Sequence, residues 1–311
     1  MKKHLKVSLL AVIAFVGLLP VSQGIYAEEL VILYTNDLHA QVEPMKATWL
    51  ENKPLMGGFA NIAAYVDEVR AAKQNVVFFD AGDMLTGPAI SSLTQGEAVF
   101  DIVNTMGFDA ATFGNHEFDH GWKNTKKLLY QADFPVLSAN TFYEGTNILF
   151  AKPYEIIEKG DLKIGVIGIL GKRCGDGTIM ATSRQGIEFR EQEAIIQEYV
   201  NILKPHVDLI VLLAHEGKLD PQLFTAEADP QRVFQEADPQ RILQKDVEIA
   251  KNVKGIDVLI TGHLHKGVEE PIFVEETGTL IVSAYGNGIV VGCLGLVIKQ
   301  FTHLVLPYSS I

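Results

Sequence analysis

Residues 30–41 read LVILYTNDLHAQ, an apolar run that stops on Asp37 and His39. Leu30 to Tyr34 has the character of a strand, and the residues after it are donors suited to a hard metal ion. Four more segments repeat the pattern. Val76 to Phe79 leads into Gly82-Asp83, and Ala110 to Phe113 into Gly114-Asn115-His116-Glu117. Leu209 to Leu213 leads into Ala214-His215, and Val258 to Ile260 into Gly262-His263-Leu264-His265. Ligand-type residues at the carboxyl ends of several parallel strands converge on one crevice of an open α/β sheet. Together these segments point to a metal-dependent hydrolase.

Helical patterns lie between the strands. Asn61 to Lys73 places Ile62, Tyr65, Val66 and Val69 on one face. Gly96 to Met106 reads similarly. So does Glu191 to Lys204, with a stripe of Ile195, Ile196, Tyr199, Val200 and Leu203. Further strands are expected at Pro135 to Ala139, Leu162 to Ile169 and Leu280 to Ala284. Such alternation predicts an α/β sandwich.

The 311 residues, 48% hydrophobic and 21% charged, suffice for one large α/β domain but not for a second of equal size. A formal net charge of −12 disfavours nucleic acid polymers and anionic membranes as partners. It leaves room for a small anion held by metal ions, whose charge dominates at short range.

Residues 1–27 read as a signal peptide: a basic start from Met1 to Lys6, an apolar core from Val7 to Leu19, and Ala27 before a cut. The core is too short to span a bilayer comfortably. Export to the periplasm or outside the cell is the expectation, with no stable membrane association after cleavage. In such a compartment Cys174 and Cys293 are compatible with a disulfide or with two free thiols. Residues 227–235 read EADPQRVFQ and 236–244 read EADPQRILQ, a tandem near-repeat expected to be a surface insertion. Gly278 to Gly295 reads as a Gly-rich strand region, and Gln300 to Ile311 shows no helix or capping signal.

Asp37 and His39 stand two apart, and side chains at i and i+2 of an extended segment share a face. His263 and His265 repeat that spacing. Gly82, Gly114 and Gly262 each precede a candidate ligand, where a residue without Cβ permits a sharp turn and close backbone approach. The candidate donors are Asp37, His39, Asp83, Asn115, His215, His263 and His265: carboxylate, imidazole and one amide, with no thiolate. That chemistry favours zinc, manganese, iron or a similar divalent ion. The set exceeds what one zinc ion takes, so two ions are expected, with Asp83 able to bridge them. Two ions roughly 3.5–4 Å apart clamp the attacking and leaving oxygens of an in-line displacement. His116, adjacent to Asn115, is expected to face the substrate, where it can stabilise charge or protonate a leaving oxygen. Asp119 can hold its ring in one tautomer, or cap a helix starting near His120. Glu117 is expected to be structural. His120, His206 and His303 fit no site pattern.

The order D-x-H, G-D, G-N-H-E, H and G-H-x-H resembles the calcineurin-like metallophosphoesterase superfamily. The longer stretches YTNDLHAQ (34–41), DAGDMLTGPAIS (80–91), GEAVFDIVNTMGFDAATFGNHEFDHG (96–121), LSAN (137–140) and TGHLH (261–265) resemble the exported 5′-nucleotidase, UDP-sugar hydrolase and 2′,3′-cyclic phosphodiesterase family. The match covers about residues 30–298, so the metallophosphoesterase domain is expected over 28–298 and a tail over 299–311. The resemblance implies a four-layer α/β/β/α sandwich with a dinuclear centre. It implies one metal site of Asp37, His39, Asp83 and His265, another of Asp83, Asn115, His215 and His263, and a catalytic dyad of His116 with Asp119. In some nucleotidases the position of His265 holds an amide; the histidine fits the broader family. Full-length members carry a carboxy-terminal domain with aromatic and arginine contacts to the nucleoside, and this chain ends about where its linker would begin.

The leading expectation is hydrolysis of nucleotides or related small phosphate esters by metal-held hydroxide, with His116 assisting the leaving group. Cyclic-nucleotide phosphodiesterase, UDP-sugar hydrolase and sulfur-ester hydrolase activities stand close behind. The contrasting class is a truncated, metal-binding chain that turns over little or nothing.

Overall fold

The computed structural model describes residues 23–48, 50–217 and 243–303. The expected leader lies outside the described residues up to position 22, and the EADPQ near-repeat does so up to position 242. Glu29–Ile298 packs as one compact unit. A second unit groups 1–28 with 299–311, of which strand ends at 23–28 and 299–303 are described. Among the described residues, no helix is long and apolar enough to cross a membrane.

Two main sheets carry the unit. The first has five strands in the order Gly292–His303, Gln23–Thr35, Val76–Asp80, Ala110–Thr112 and Val136–Leu137, parallel from the second onward. The second has six, in the order Ile272–Val274, Thr279–Val282, Val258–Gly262, Leu209–His215, Leu162–Leu170 and Tyr154–Lys159. Its central strands are parallel and both edge strands antiparallel to their neighbours.

Period-two alternation feeds three apolar layers. Leu30, Ile32, Val77 and Phe79 of the first sheet meet Ile164, Val166, Leu209, Val211, Leu213 and Ile260 of the second. The alternate residues Leu33, Val76 and Phe78 pack outward on helices Phe59–Ala72, Glu97–Val103 and Trp122–Gln131 through Ile62, Val66, Phe100 and Leu128. On the other side Ile167, Ile210, Leu212 and Leu259 pack on helices Gln192–Leu203 and Gln244–Asn252 through Ile196, Val200 and Ile249. The layers run helix, sheet, sheet, helix. Strands buried on both faces need apolar residues at every position, which explains runs such as LIVLLA.

Several local readings differ from expectation. The segment expected as one helix from Gly96 begins at Glu97, after a separate short helix Ala89–Thr94 that ends with Gln95 in the left-handed region (φ 52°). The strand Gly292–His303 continues into the expected tail, and positions 304–311 lie outside the described residues. Cys174 is buried, Cys293 is exposed, and neither is in a disulfide.

Candidate metal centre

Each of the five signature segments ends at the same edge of the sandwich. Asp37 and His39 follow strand Gln23–Thr35, Asp83 follows Val76–Asp80, and Asn115 follows Ala110–Thr112. His215 is the last residue of Leu209–His215, and His263 and His265 follow Val258–Gly262. Donor atoms of Asp37, His39 and His265 lie within 4.8 Å of one another, as do those of Asp37, Asp83 and His215 and those of His39, Asp83 and His116. All nine residues expected from the sequence converge. Asp119 joins through His116, and Asn115 Oδ1 lies 3.3 Å from Cys174 Sγ, which itself groups with His215 and His263.

The route by which the paired donors meet differs from the extended geometry expected. Asp37, His39, His263 and His265 all have positive φ, between 47° and 84°. The chain curls back over the strand ends, and the curl brings His39 Nε2 to 2.8 Å from His265 Nε2 and Asp37 Oδ1 to 3.5 Å from the latter. Backbone strain of this kind persists where the surroundings over-determine it. Asp37 is held by the amide of His263 and by Asn36 Nδ2, while Asn36 is itself clamped to the backbone of Ala284.

Two glycines are required by space. A Cβ on Gly114 would stand 2.2 Å from Asp83 Oδ1 and 2.6 Å from His215 Nε2. One on Gly82, at φ 92°, would stand 2.7 Å from the amide of Gly114. Glu117 is structural, as expected: its buried carboxylate accepts the amides of Asp83, Leu85 and Gly114 and so joins two of the loops.

The electrostatics suit a cation. His39, His263 and His265 are pushed below the usual histidine range by burial first, then by neighbouring imidazoles, the last two to about 4. They are neutral donors near pH 7. Nδ1 of His39 donates to the carbonyls of Leu85 and Thr86, and Nδ1 of His215 donates to Ala81 O, which directs each Nε2 into the site. Burial raises Asp37 to about 7, with His215 opposing and Asp83 adding to the rise. Burial opposes charge on both His215 and Asp83, yet their attraction holds His215 up to about 10 and Asp83 well below the carboxylate range. His215 Nε2 is fully buried and 3.1 Å from Asp83 Oδ2, but is not aligned for a hydrogen bond with it. A proton there does the work of a cation, so the donor set fits divalent metal ions.

His116 lies beside the donors but its Nδ1 is engaged elsewhere. Its Nδ1 is 2.8 Å from Asp119 Oδ2, and the pair is about one-third exposed. The bond to Asp119 lifts His116 to about 9. Asp119, despite partial burial, is held below the usual range by His116 and by the Thr86 hydroxyl. It does not cap a helix: Trp122–Gln131 is entered through Gly121 at φ 82° without a side-chain cap.

One residue of the site was missed. Cys174 was expected either to pair with Cys293 or to be a free thiol, and the donor set was expected to lack sulfur. The available signal was the rule already in use, since Cys174 follows the strand Leu162–Leu170 by four positions.

Similarity searches agree with this geometry. The family model described as calcineurin-like phosphoesterase matches residues 30–267. The chain is 33% identical over 263 residues to a snake venom 5′-nucleotidase of Gloydius brevicauda, covering 82% of this chain and 40% of that protein. It is 31% identical over 245 residues to a probable 5′-nucleotidase of Treponema pallidum, covering 76% of this chain and 37% of that one. The solved NAD nucleotidase of Haemophilus influenzae superposes with a TM-score of 0.70 at 27% identity, over 89% of this chain and 49% of that one. The chain thus spans about two fifths of the length of the curated relatives it matches. By the matched model, the strand-end donors and the four-layer sandwich, it belongs to the calcineurin-like phosphoesterase family.

Proposed function

We propose that this chain hydrolyses phosphate monoesters of nucleotides, in the manner of a 5′-nucleotidase, with two divalent ions at the strand ends. The observation that carries the reading is Asp83, whose carboxylate falls in one donor group with Asp37 and His215 and in a second with His39 and His116. In this reading Asp37, His39, Asp83 and His265 hold one ion, and Asp83, Asn115, His215 and His263 hold the second. When bound, such ions (zinc, manganese or similar) supply Lewis acidity toward phosphoryl oxygens and acidify bound water.

The chain's own residues do the rest. Asp37 and Asp83 bring negative charge that draws cations, and the neutral imidazoles complete the shells without further charge. His116 is protonated near pH 7, and its Nδ1–H is committed to Asp119. The other ring nitrogen donates toward the phosphoryl group or gives its proton to the departing oxygen. Glu117 fixes the loops on which Asp83 and Asn115 ride. The names of the relatives support a nucleotide substrate, and the basic, then apolar, first 27 residues support export. Nucleic acid polymers are disfavoured by the net charge of −12.

The test is phosphate release from AMP, UDP-glucose, a 2′,3′-cyclic nucleotide and an aryl phosphate, with and without chelator. Fastest turnover of AMP, abolished by chelation and restored by zinc or manganese, is expected. Two bound ions with no turnover of any ester would give the reading to a non-catalytic metal-binding chain.

A further inference from the structure

Cys174 lies in the helix Lys172–Thr178, just past strand Leu162–Leu170. That strand runs parallel to Leu209–His215, with Leu170 opposite His215. The thiol is therefore delivered as the other donors are, from the carboxyl end of a parallel strand. Its Sγ lies 3.3 Å from Asn115 Oδ1 and 3.5 Å from His263 Nδ1. Donor atoms of Cys174, His215 and His263 fall within 4.8 Å of one another. His215 Nε2, fully buried and without a hydrogen-bond partner, belongs to the same group.

The spacing is that of a coordination shell. Metal–sulfur and metal–nitrogen bonds of about 2.3 and 2.0–2.1 Å, at the roughly 90–120° angles of a five-coordinate ion, put the two donors about 3.1–3.8 Å apart. The Sγ to His263 separation of 3.5 Å matches this.

We propose that Cys174 is a ligand of the ion held by Asn115, His215 and His263, which makes that half of the centre selective for thiophilic ions such as zinc over manganese. The inference rests on the dinuclear reading above. On coordination the S–H bond breaks, the proton passes to solvent and an S–metal bond forms, with no change of oxidation state. Thiolate favours softer ions than carboxylate does. The competing arrangement keeps the thiol neutral behind the ion, donating to Asn115 Oδ1.

Cobalt(II) separates the two. The probe is the full chain carrying Cys293→Ser, which leaves Cys174 as its one thiol because the sequence has two cysteines. Two cobalt ions per chain with an intense near-ultraviolet sulfur-to-cobalt charge-transfer band is the expected result. Protection of Cys174 from iodoacetamide by bound zinc is expected alongside it. A further Cys174→Ser change should abolish the band while cobalt still binds. Two bound cobalt ions without the band in the Cys174-bearing chain would overturn the ligand role and leave the dinuclear reading intact. Failure to bind cobalt at all would overturn both.

Discussion

Asp83 Oδ2 and His215 Nε2 lie 3.1 Å apart, one delivered by the five-stranded sheet and the other by the six-stranded sheet. Both side chains are buried, so each depends on the other or on a cation for its charge balance. Asp83→Asn keeps the shape and removes the charge, and it is expected to lower the bound metal from two ions to none. Metal analysis after gel filtration checks this; two retained ions would end the shared-carboxylate assignment. Asp83→Ala should in addition destabilise the fold by about 3–5 kcal/mol, the usual cost of leaving one member of a buried ion pair alone.

His116 sits beside the donors but bonds to Asp119. His116→Ala is therefore expected to reduce kcat by about 10²–10⁴-fold, the range for removal of a general acid. Metal content should remain at two ions. Loss of metal along with activity would reassign His116 as a ligand. Asp119→Asn should have the smaller effect, roughly 10–100-fold, because it disturbs the ring's orientation rather than removing the ring.

The space at Gly114 gives a prediction independent of charge. The added methyl of Gly114→Ala would meet Asp83 Oδ1 at 2.2 Å and His215 Nε2 at 2.6 Å. Overpacking of this kind costs about 1–3 kcal/mol. The thermal midpoint should fall and metal affinity with it, whereas Gly295→Ala, with nothing within 4 Å of its Cβ and no left-handed backbone, serves as the comparison. Equal metal affinity in the two variants would show that the loops can shift to absorb the methyl.

Asp246 supplies a pH prediction away from the donors. It is fully buried, its Oδ1 accepts the Thr261 hydroxyl, and its Oδ2 has no partner. Burial raises its pKa from 3.8 to about 8. The folded chain then holds a proton that the unfolded chain releases, so this group's contribution to stability declines as pH rises from 3.8 towards about 8. Asp246→Asn keeps the acceptor for Thr261 and removes the titration. Its thermal midpoint should exceed that of the parent at pH 8 and approach it at pH 4. A gap that is constant across pH would show that Asp246 does not titrate in this window.

The strand ends were legible because strands buried on both faces leave long apolar strings, and a polar donor at the end of such a string stands out. The four layers followed from the resemblance and from strand–helix alternation. The turns were not legible. Spacing alone suggested that Asp37 and His39 share a face of an extended chain, whereas both adopt left-handed conformations forced by bonds to loops far away in sequence. Lys172–Thr178 was hidden because KRCGDGT carries two glycines and little helix propensity, so the turn that brings Cys174 back to the end of strand Leu162–Leu170 was not visible. The paired strands Met45–Lys46 and Leu55–Met56 are too short for any periodicity. The helix Trp122–Gln131 gives only Thr125 and Leu128 to the core, too little for a stripe.

The alternation in Leu209–His215 has a consequence for how the sandwich finds its alignment. Leu209, Val211 and Leu213 face one core and Ile210, Leu212 and Ala214 the other, two sets of nearly equal hydrophobicity. A slip of one position would exchange the sets at little loss of apolar burial, so greasiness alone marks the pairing weakly. The polar tip does not tolerate the exchange, because His215 would then leave Asp83 uncompensated inside the protein. The donors that suit the chain to chemistry thus also act as the notch that fixes how far each strand slides along its neighbour.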